Sequence, residues 1–236
     1  MRVAIIENTR YSDPGQVGIA LAEAGATIEA IRAYAGEPLP ATIHGHDALV
    51  VFGGEQNARD DEKHPYLPAL ATLMRDFGDA GKAVLGICLG SQVLARAYGA
   101  ENLIGAAPEF GWHTVSPTEE GRSDPVISAA AAAPGEGFVS FQWHDDTFTL
   151  PPGGVHLAGN AAAVNQAFRV GRAAYGMQFH FEANRAVVAE WNRLFPEHVE
   201  RKEPGWLARH SQYAAAHGPA AEAAGLAIAR AWVSRI

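Results

Sequence analysis

The sequence predicts an α/β fold: a mostly parallel open sheet flanked by helices, with antiparallel strands added at one edge and a C-terminal helical segment. Short apolar runs alternate with segments of helical periodicity up to Gly99, which is the pattern of parallel strands joined by helices. Residues 101–178 are rich in short strands and punctuated by glycine, as antiparallel strands require. Residues 206–236 are alanine-rich and predict a terminal helix.

The first part of the chain supplies the parallel strands and their helices. Strands are predicted at short apolar or alternating runs, namely residues 3–6, 27–34, 46–52 and 82–87. Helices are predicted where apolar residues recur at helical spacing, namely residues 16–24, residues 66–81 and the stretch from Ser91 to Gly99. The strand at 46–52 ends at Gly53 and Gly54, and the strand at 82–87 leads into Cys88.

The last part of the chain is expected to be mainly helical. Residues 183–195 predict a helix stopped by Pro196, and the charged residues 197–204 indicate a solvated linker. Residues 206–236 predict a helix interrupted at Gly218 and Pro219, and residues 129–133 a short helical run. The apolar residues near the C-terminus are expected to pack on the body or on a sister subunit. We expect one domain over residues 1–236, with a C-terminal helical extension at about 197–236.

Composition limits the possible partners. The 236-residue chain carries a formal charge of −8, which argues against nucleic acid, because binders of phosphate backbones carry clustered Lys and Arg. An early carboxylate at Glu7 and the lack of a long apolar run predict neither a signal peptide nor a membrane span, so we expect a cytoplasmic protein. The single cysteine rules out an internal disulfide.

That cysteine lies in the run Gly-Ile-Cys-Leu-Gly-Ser-Gln at residues 86–92. A cysteine between a buried strand and a helix, with glycines two residues away on each side, is typical of a nucleophile held on a sharp turn. The following helix start directs free N–H groups toward such a side chain. A buried structural thiol is the alternative, and the flanking glycines favour the reactive residue.

A base and an acid are predicted at residues 177–182. Strict alternation along a strand would bury Met177, Phe179 and Phe181 and would present His180 beside Glu182 on the other face. Glu182 could then accept from one ring nitrogen of His180, leaving the other nitrogen to take the thiol proton. An exposed strand face with unrelated polar groups is the alternative.

Two further segments could contact a substrate. Gly54 follows a parallel strand, on the side of the sheet where ligands bind. Its N–H and the N–H of Leu89 could together form an oxyanion hole. A plain turn at the two glycines is the alternative. The cluster at residues 142–147 could place Asp146, or nearby backbone groups, against an α-ammonium group. Its His-Asp-Asp run lacks a spaced second pair, so we expect no metal, and no nucleotide fingerprint is present, so we expect no cofactor.

Taken in order, these segments resemble the class I, triad-type glutamine amidotransferases, most closely the stand-alone branch similar to the amidotransferase part of GMP synthase. The resemblance rests on Gly-Gly at 53–54, Gly-Ile-Cys-Leu-Gly-Ser-Gln at 86–92, Trp-His-Asp-Asp at 143–146 and Gln-Phe-His-Phe-Glu at 178–182. It implies a flavodoxin-like fold and a triad of Cys88, His180 and Glu182 that cleaves the γ-amide of glutamine through a thioester. It also implies substrate contacts from Gln92 and from the backbone at Trp143 and His144.

The chain departs from the family at two positions. Ser91 stands where the family often has His, and the glycine loop continues as Glu55 and Gln56 where the family often has proline. The second departure leaves open which glycine N–H of the pair points inward.

The same resemblance implies a small-molecule substrate, either glutamine or a related γ-glutamyl compound. The chain has no phosphate loop for an ATP-using domain, so it either supplies ammonia to a synthase subunit or works alone as a γ-glutamyl hydrolase; a homodimer is possible. Two other functions stay open. One is a cysteine esterase using Asp145 or Asp146 as the acid, and the other is a redox-sensing or ligand-binding protein without catalysis.

Overall fold

The computed structural model describes residues 1–131 and 137–236. Its strands are β1 (Arg2–Glu7), β2 (Thr27–Arg32), β3 (Ala48–Val51), β4 (Ala83–Ile87), β5 (Asn102–Leu103), β6 (Glu109–Pro117), β7 (Phe138–His144), β8 (Thr147–Phe148), β9 (Val155–Gly159), β10 (Ala167–Val170) and β11 (Ala174–Met177). Its helices are α1 (Gly15–Glu23), α2 (Leu67–Asp79), α3 (Leu89–Ala97), α4 (Glu119–Ser123), α5 (Arg185–Leu194), α6 (Pro196–Lys202) and α7 (Trp206–Val233).

One mixed sheet organises the described residues, in the order β2-β1-β3-β4-β11-β10-β9-β6-β7. The strands from β2 to β11 are parallel to their neighbours, and β10, β9, β6 and β7 continue the sheet with antiparallel pairing. The predicted fold class is therefore confirmed, including the antiparallel strands at one edge. β3, β4 and β11 are buried along their whole length because helices cover both faces of a parallel sheet.

Alternate residues of the central strands pack on opposite sides. Val3 and Ile5 of β1 face a core formed with α1 and α7, whereas Ala4 and Ile6 face a core formed with α2 and α3. Trp232 of α7 is fully buried in the first core, as expected for a C-terminal segment that packs on the body. Across residues 1–131 and 137–236, no helix has the length and apolar character needed to span a bilayer.

The charged segment after Pro196 is a helix, and the prediction of a solvated linker there is wrong. Proline at the first position of α6 starts the helix, since its missing N–H has no partner in a first turn. Val199 is fully buried and packs with Trp206 and the aromatic residues around them. The charged residues lie on the other sides of α6, so the helix is amphipathic although its sequence is mostly charged.

The terminal helix is also more regular than predicted, because α7 continues through Gly218 and Pro219 without a break. Proline removes one helical hydrogen bond. Contacts with α1, with β7 and with the side chain of Arg185, which fills the space beside Gly218, hold the helix on both sides of that point. Of the alanine run at 129–133, residues 128–130 form a short 3-10 turn, and Ala132 and Ala133 lie outside the described residues.

Candidate active site

Cys88 lies on a sharp turn between β4 and α3. Its φ of 52° is the one positive value at a non-glycine residue among the residues that the structure describes. A Cβ atom at Gly86 would lie 2.4 Å from the carbonyl oxygen of Gly90, and one at Gly90 would lie 2.1 Å from that of Val51. The two glycines are therefore required by close backbone approach, and the turn holds Cys88 in the strained conformation of a nucleophile elbow.

His180 and Glu182 lie just beyond β11, which ends at Met177 rather than at residue 182 as predicted. Beyond Met177 the N–H of Gln178 donates to the carbonyl oxygen of Gln166, and the N–H of His180 donates to that of Phe141 in an isolated bridge, each at 2.8 Å. The chain turns here because the carbonyl of Glu182 accepts from the N–H of Gln16 at the start of α1, at 2.9 Å. The apolar side chains of this segment are buried as expected, but its polar side chains are buried as well.

Cys88 and His180 converge on the space beside Gly53. A Cβ atom at Gly53 would lie 3.2 Å from Cε1 of His180, 3.3 Å from Cβ of Cys88 and 3.8 Å from its Sγ. Nδ1 of His180 is 2.6 Å from Oε1 of Glu182, with both side chains almost fully buried. The thiol of Cys88 and the imidazole of His180 therefore lie side by side, and the carboxylate of Glu182 contacts the imidazole.

The charges of this group act on the imidazole. Burial by itself would lower the pKa of His180, but its interactions with the Glu182 carboxylate and with the neighbouring Cys88 outweigh that effect. The net result is a pKa for His180 well above its ordinary value of 6.5. The site therefore favours an imidazolium beside the sulfur.

Gly53, Gly54 and Leu89 border the same space. Within residues 1–131 and 137–236, the N–H groups of Gly53, Gly54 and Leu89 have no hydrogen-bond acceptor. The glycine loop is held from behind by Asn8, which donates to the carbonyl of Phe52 at 2.7 Å.

Two more side chains complete this support of the loop. Tyr66 donates to the Asn8 carboxamide at 3.0 Å, and Gln56 donates to the Asn8 carbonyl at 2.7 Å. These contacts hold the loop although it lacks the proline that the family often has. Asn8 and Tyr66 were not singled out from the sequence, because they lie far apart in the chain and match no motif, and Gln56 was noted only as a departure from the family.

A cavity of about 720 Å³ opens over this group. It is lined by all nine residues predicted for the site: Cys88, His180, Glu182, Gly54, Leu89, Gln92, Trp143, His144 and Asp146. The carbonyl oxygen of Trp143 lies 3.8 Å from Sγ of Cys88. The side-chain nitrogen of Gln92 contacts Oε1 of Gln178 at 3.1 Å and the carbonyl of Asp146 at 3.4 Å.

Two of these side chains are held by the protein itself. The ring of His144 is buried between the carbonyl of Asp146, 3.0 Å from Nδ1, and the carboxylate of Glu109, 3.3 Å from Nε2. The carboxylate of Asp146 accepts from the N–H of Gly105 at 2.8 Å. Neighbouring Asp145 forms an ion pair with Lys202. Neither aspartate takes the place of Glu182 beside the imidazole.

The cavity also has an aromatic wall that the sequence did not point to. We call aromatic wall the side chains of Tyr11, Trp143, Trp191 and Phe195, which follow one another along one side of the cavity. Phe195 precedes α6, and His198 and Lys202 lie on the same face of that helix. The spacing of these three residues, by three and four positions, is the pattern that could have predicted one helical face at the cavity. In the described part of the chain, no group of three His, Cys, Asp or Glu side chains is arranged to hold a metal ion.

Comparison with known proteins shows the family of this chain. Residues 18–187 match the family described as Glutamine amidotransferase class-I. The chain belongs to the class I glutamine amidotransferases. This family indicates an enzyme that acts on the amide of glutamine.

Individual class I glutamine amidotransferases resemble the chain over most of its length. The glutamine amidotransferase-like protein YfeJ of Salmonella typhimurium is 34% identical over 185 residues, which cover 77% of this chain and 76% of that protein. One subunit of the glutamine-hydrolysing GMP synthase of Thermoplasma acidophilum is 31% identical over 141 residues, covering 59% of this chain and 65% of that protein.

Solved structures extend the similarity to the whole chain. A glutamine amidotransferase from Thermotoga maritima superposes with a TM-score of 0.84 at 25% identity, covering 98% of both chains. One from Methylobacillus flagellatus superposes with a TM-score of 0.84 at 27% identity, covering 100% of this chain and 95% of that one. The C-terminal helices beyond residue 187 are thus shared with relatives of the same fold.

Proposed function

We propose that the protein hydrolyses the γ-amide of glutamine, or of a related γ-glutamyl compound, through a γ-glutamyl thioester on Cys88. The observation that carries this proposal is the convergence of Cys88 and His180 beside Gly53, with Glu182 at 2.6 Å from the far ring nitrogen. A thiolate paired with an imidazolium is a strong nucleophile, and the raised pKa of His180 supports that pairing.

The first half of the reaction forms the thioester. Sγ of Cys88 attacks the γ-carbonyl carbon, and the negative charge moves to the carbonyl oxygen, where the N–H groups of Gly54 and Leu89 receive it. The carbon–nitrogen bond then breaks, and His180 gives its proton to the departing nitrogen, which leaves as ammonia or an amine. Glu182 keeps the ring oriented and stabilises its positive charge.

Water completes the cycle. His180, now neutral, takes a proton from a water molecule that attacks the thioester, and the carbon–sulfur bond breaks to release the thiolate and the γ-carboxylic acid, which loses its remaining proton to solvent. The backbone at Trp143 and His144, together with Gln92 and Asp146, borders the cavity where the α-amino and α-carboxylate groups would bind. We assign those contacts to the backbone for His144, because its ring is engaged with Glu109.

The relatives support a proposal for the destination of the ammonia. Because one relative is named as one subunit of a GMP synthase, we propose that the ammonia passes to a partner synthase subunit when glutamine is the substrate. Co-purification of the full chain with a synthase, and ammonia transfer without release into solution, would support this assignment.

The decisive test is covalent labelling by a glutamine analogue that alkylates the nucleophile. Intact-mass analysis should show one adduct on the wild type and none on Cys88→Ala, and Cys88→Ala should lose glutamine hydrolysis. Oxidation of Cys88 by peroxide without any adduct would favour the redox-sensing alternative, and unchanged hydrolysis by Cys88→Ala would refute the mechanism.

A further inference from the structure

We propose that the aromatic wall is a leaving-group subsite, and that the protein's preferred substrates are γ-glutamyl amides of apolar, aromatic amines. This inference rests on the proposed function and extends it to the side of the amide that leaves. A cavity of about 720 Å³ falls in the size range of sites for drug-sized ligands and has room beyond a bound glutamine. The four side chains of the aromatic wall are partly exposed, and a ligand that covered them would remove apolar surface from water.

Proton transfer decides on which side of the cavity the leaving group lies. The departing nitrogen must be within reach of His180, since that ring supplies its proton, whereas the carbonyl oxygen is assigned to the N–H groups of Gly54 and Leu89. Trp191 is the aromatic residue next to His180, edge-on with ring centres 5.2 Å apart. A substituent on the departing nitrogen would therefore extend over Trp191.

From Trp191 the aromatic wall is continuous. The ring of Trp143 lies 5.4 Å from that of Trp191 and 5.9 Å from that of Phe195, and Phe195 lies 4.8 Å from Tyr11. These edge-to-face contacts hold the rings in place before any ligand arrives. A flat apolar group gains most from such a surface, because it can contact several ring faces and edges at once.

The charges around the cavity disfavour an anionic leaving group. Among the described residues that line it, Lys202 is the one lysine or arginine, and its ammonium is paired with Asp145. Burial and the nearby charge of Lys202 lower the pKa of His198, so that its ring is neutral at neutral pH. Carboxylates dominate the remaining rim, namely Asp13, Glu55, Asp60 and Asp146. An amine is therefore preferred over an amino acid with a free carboxylate.

The test compares four substrates with the full-length protein: L-glutamine, γ-L-glutamyl methylamide, γ-L-glutamyl phenethylamide and γ-L-glutamyl-L-phenylalanine. We expect kcat/KM for the phenethylamide to exceed that for the methylamide by roughly tenfold or more, the scale of one or two aromatic contacts. The phenylalanine dipeptide, which has a similar ring but adds a carboxylate, should be hydrolysed less efficiently than the phenethylamide.

Two variants on different elements connect the preference to the aromatic wall. Phe195→Leu and Tyr11→Leu should each lower the ratio of kcat/KM for phenethylamide over methylamide by roughly two- to tenfold. Tyr34→Leu removes an exposed aromatic ring outside the cavity and should leave the ratio unchanged. Thermal melting of each variant shows whether it is folded.

The outcomes separate this inference from the function on which it rests. If glutamine is hydrolysed and Cys88 is labelled, but the methylamide is as good a substrate as the phenethylamide, the subsite is refuted and the mechanism stands. An unchanged ratio in both Phe195→Leu and Tyr11→Leu also refutes the subsite. If no substrate is hydrolysed and Cys88 is not labelled, both proposals are wrong.

Discussion

Replacing Glu182 by Gln tests the assignment of the acid most directly, because it removes one negative charge and changes the side-chain shape very little. In the protein, Oε1 of Glu182 is 2.6 Å from Nδ1 of His180, and both side chains are buried. A hydrogen bond to a buried charged group contributes about 1.5 to 3 kcal/mol. Since about 1.4 kcal/mol is a factor of ten, loss of the charge alone should lower kcat/KM roughly 10- to 100-fold.

The side-chain amide introduced by Glu182→Gln can lower activity further by changing the tautomer of the His180 ring. If its NH₂ group faces Nδ1, the ring proton moves to the nitrogen that should serve the thiol, and loss of the correct tautomer in triads costs about 10⁴-fold. We therefore expect a fall in kcat/KM of about 10²- to 10⁴-fold. The assay is initial-rate release of ammonia from glutamine over a range of pH.

The pH dependence supplies a second readout of the same change. The charge of Glu182 raises the pKa of His180, so the substitution should lower that pKa and move the alkaline limb of the kcat/KM profile to lower pH. The raised pKa of His180 also makes the free energy of unfolding depend on pH. A folded-state pKa above the ordinary 6.5 stabilises the protein below that pH, and this contribution disappears as the pH rises through the folded value.

Asp146→Asn is the comparison variant, since it removes from the same cavity a carboxylate that accepts from a backbone N–H at 2.8 Å and does not contact His180. As a proposed substrate contact, Asp146 should affect KM and leave kcat close to the wild-type value. The reasoning is refuted if Glu182→Gln retains kcat/KM within a factor of about three of the wild type, or if Asp146→Asn lowers kcat as severely. The latter result would support the esterase-like arrangement with an aspartate as the acid.

Three further substitutions test the support of the site. Asn8→Ala removes both side-chain hydrogen bonds behind the glycine loop, so we expect about 1 to 3 kcal/mol of lost stability and a lower kcat; wild-type turnover would contradict that role. Gly225→Ala places a Cβ 2.1 Å from the carbonyl oxygen of Phe181 and should lower both melting temperature and activity, whereas Gly45→Ala, with open space around it, should change neither. Trp232→Ala should lower the free energy of unfolding, measured by chemical denaturation, by about 3 to 5 kcal/mol. A decrease below about 1 kcal/mol would contradict the place of Trp232 in the core.

The parts of the fold that could be predicted are those with local causes. Glycine at 86 and 90 predicted the turn at Cys88, because the backbone of α3 approaches β3 and β4 too closely for any side chain. Apolar runs predicted the parallel strands, since both of their faces are covered. α6 was missed because local composition emphasised its charges, whereas its helical state depends on burying Val199 among distant aromatic residues.

The candidate site also has parts with a local sequence signal and parts that depend on contacts between distant residues. Cys88, His180 and Glu182 stand in short motifs, and their side chains do converge. The contacts of Asn8 with Tyr66 and of Tyr11 with Phe195 could not be predicted, because each joins residues far apart in the chain that belong to no motif. Tyr11 meets Phe195 only after the sheet is assembled, so no local pattern could indicate their contact.

The segment that carries His180 explains why its residues were predictable but its conformation was not. Alternation over residues 177–182 is genuine, yet the strand ends at Met177 because the backbone beyond it has partners outside the sheet. One is the N–H of Gln16, which donates to the carbonyl of Glu182. Another is the backbone of α7 at Gly225, which packs directly against the carbonyl of Phe181.

These contacts connect the reacting geometry to both ends of the chain. Hydrogen bonds act over about 3 Å and lose strength rapidly when their geometry is disturbed, so a small shift of α1 or α7 must move the imidazole relative to the sulfur. The distance between His180 and Cys88 is thus a property of the assembled helices as much as of the two motifs. A methyl group at Gly225, remote from any substrate, should for this reason affect kcat more than KM.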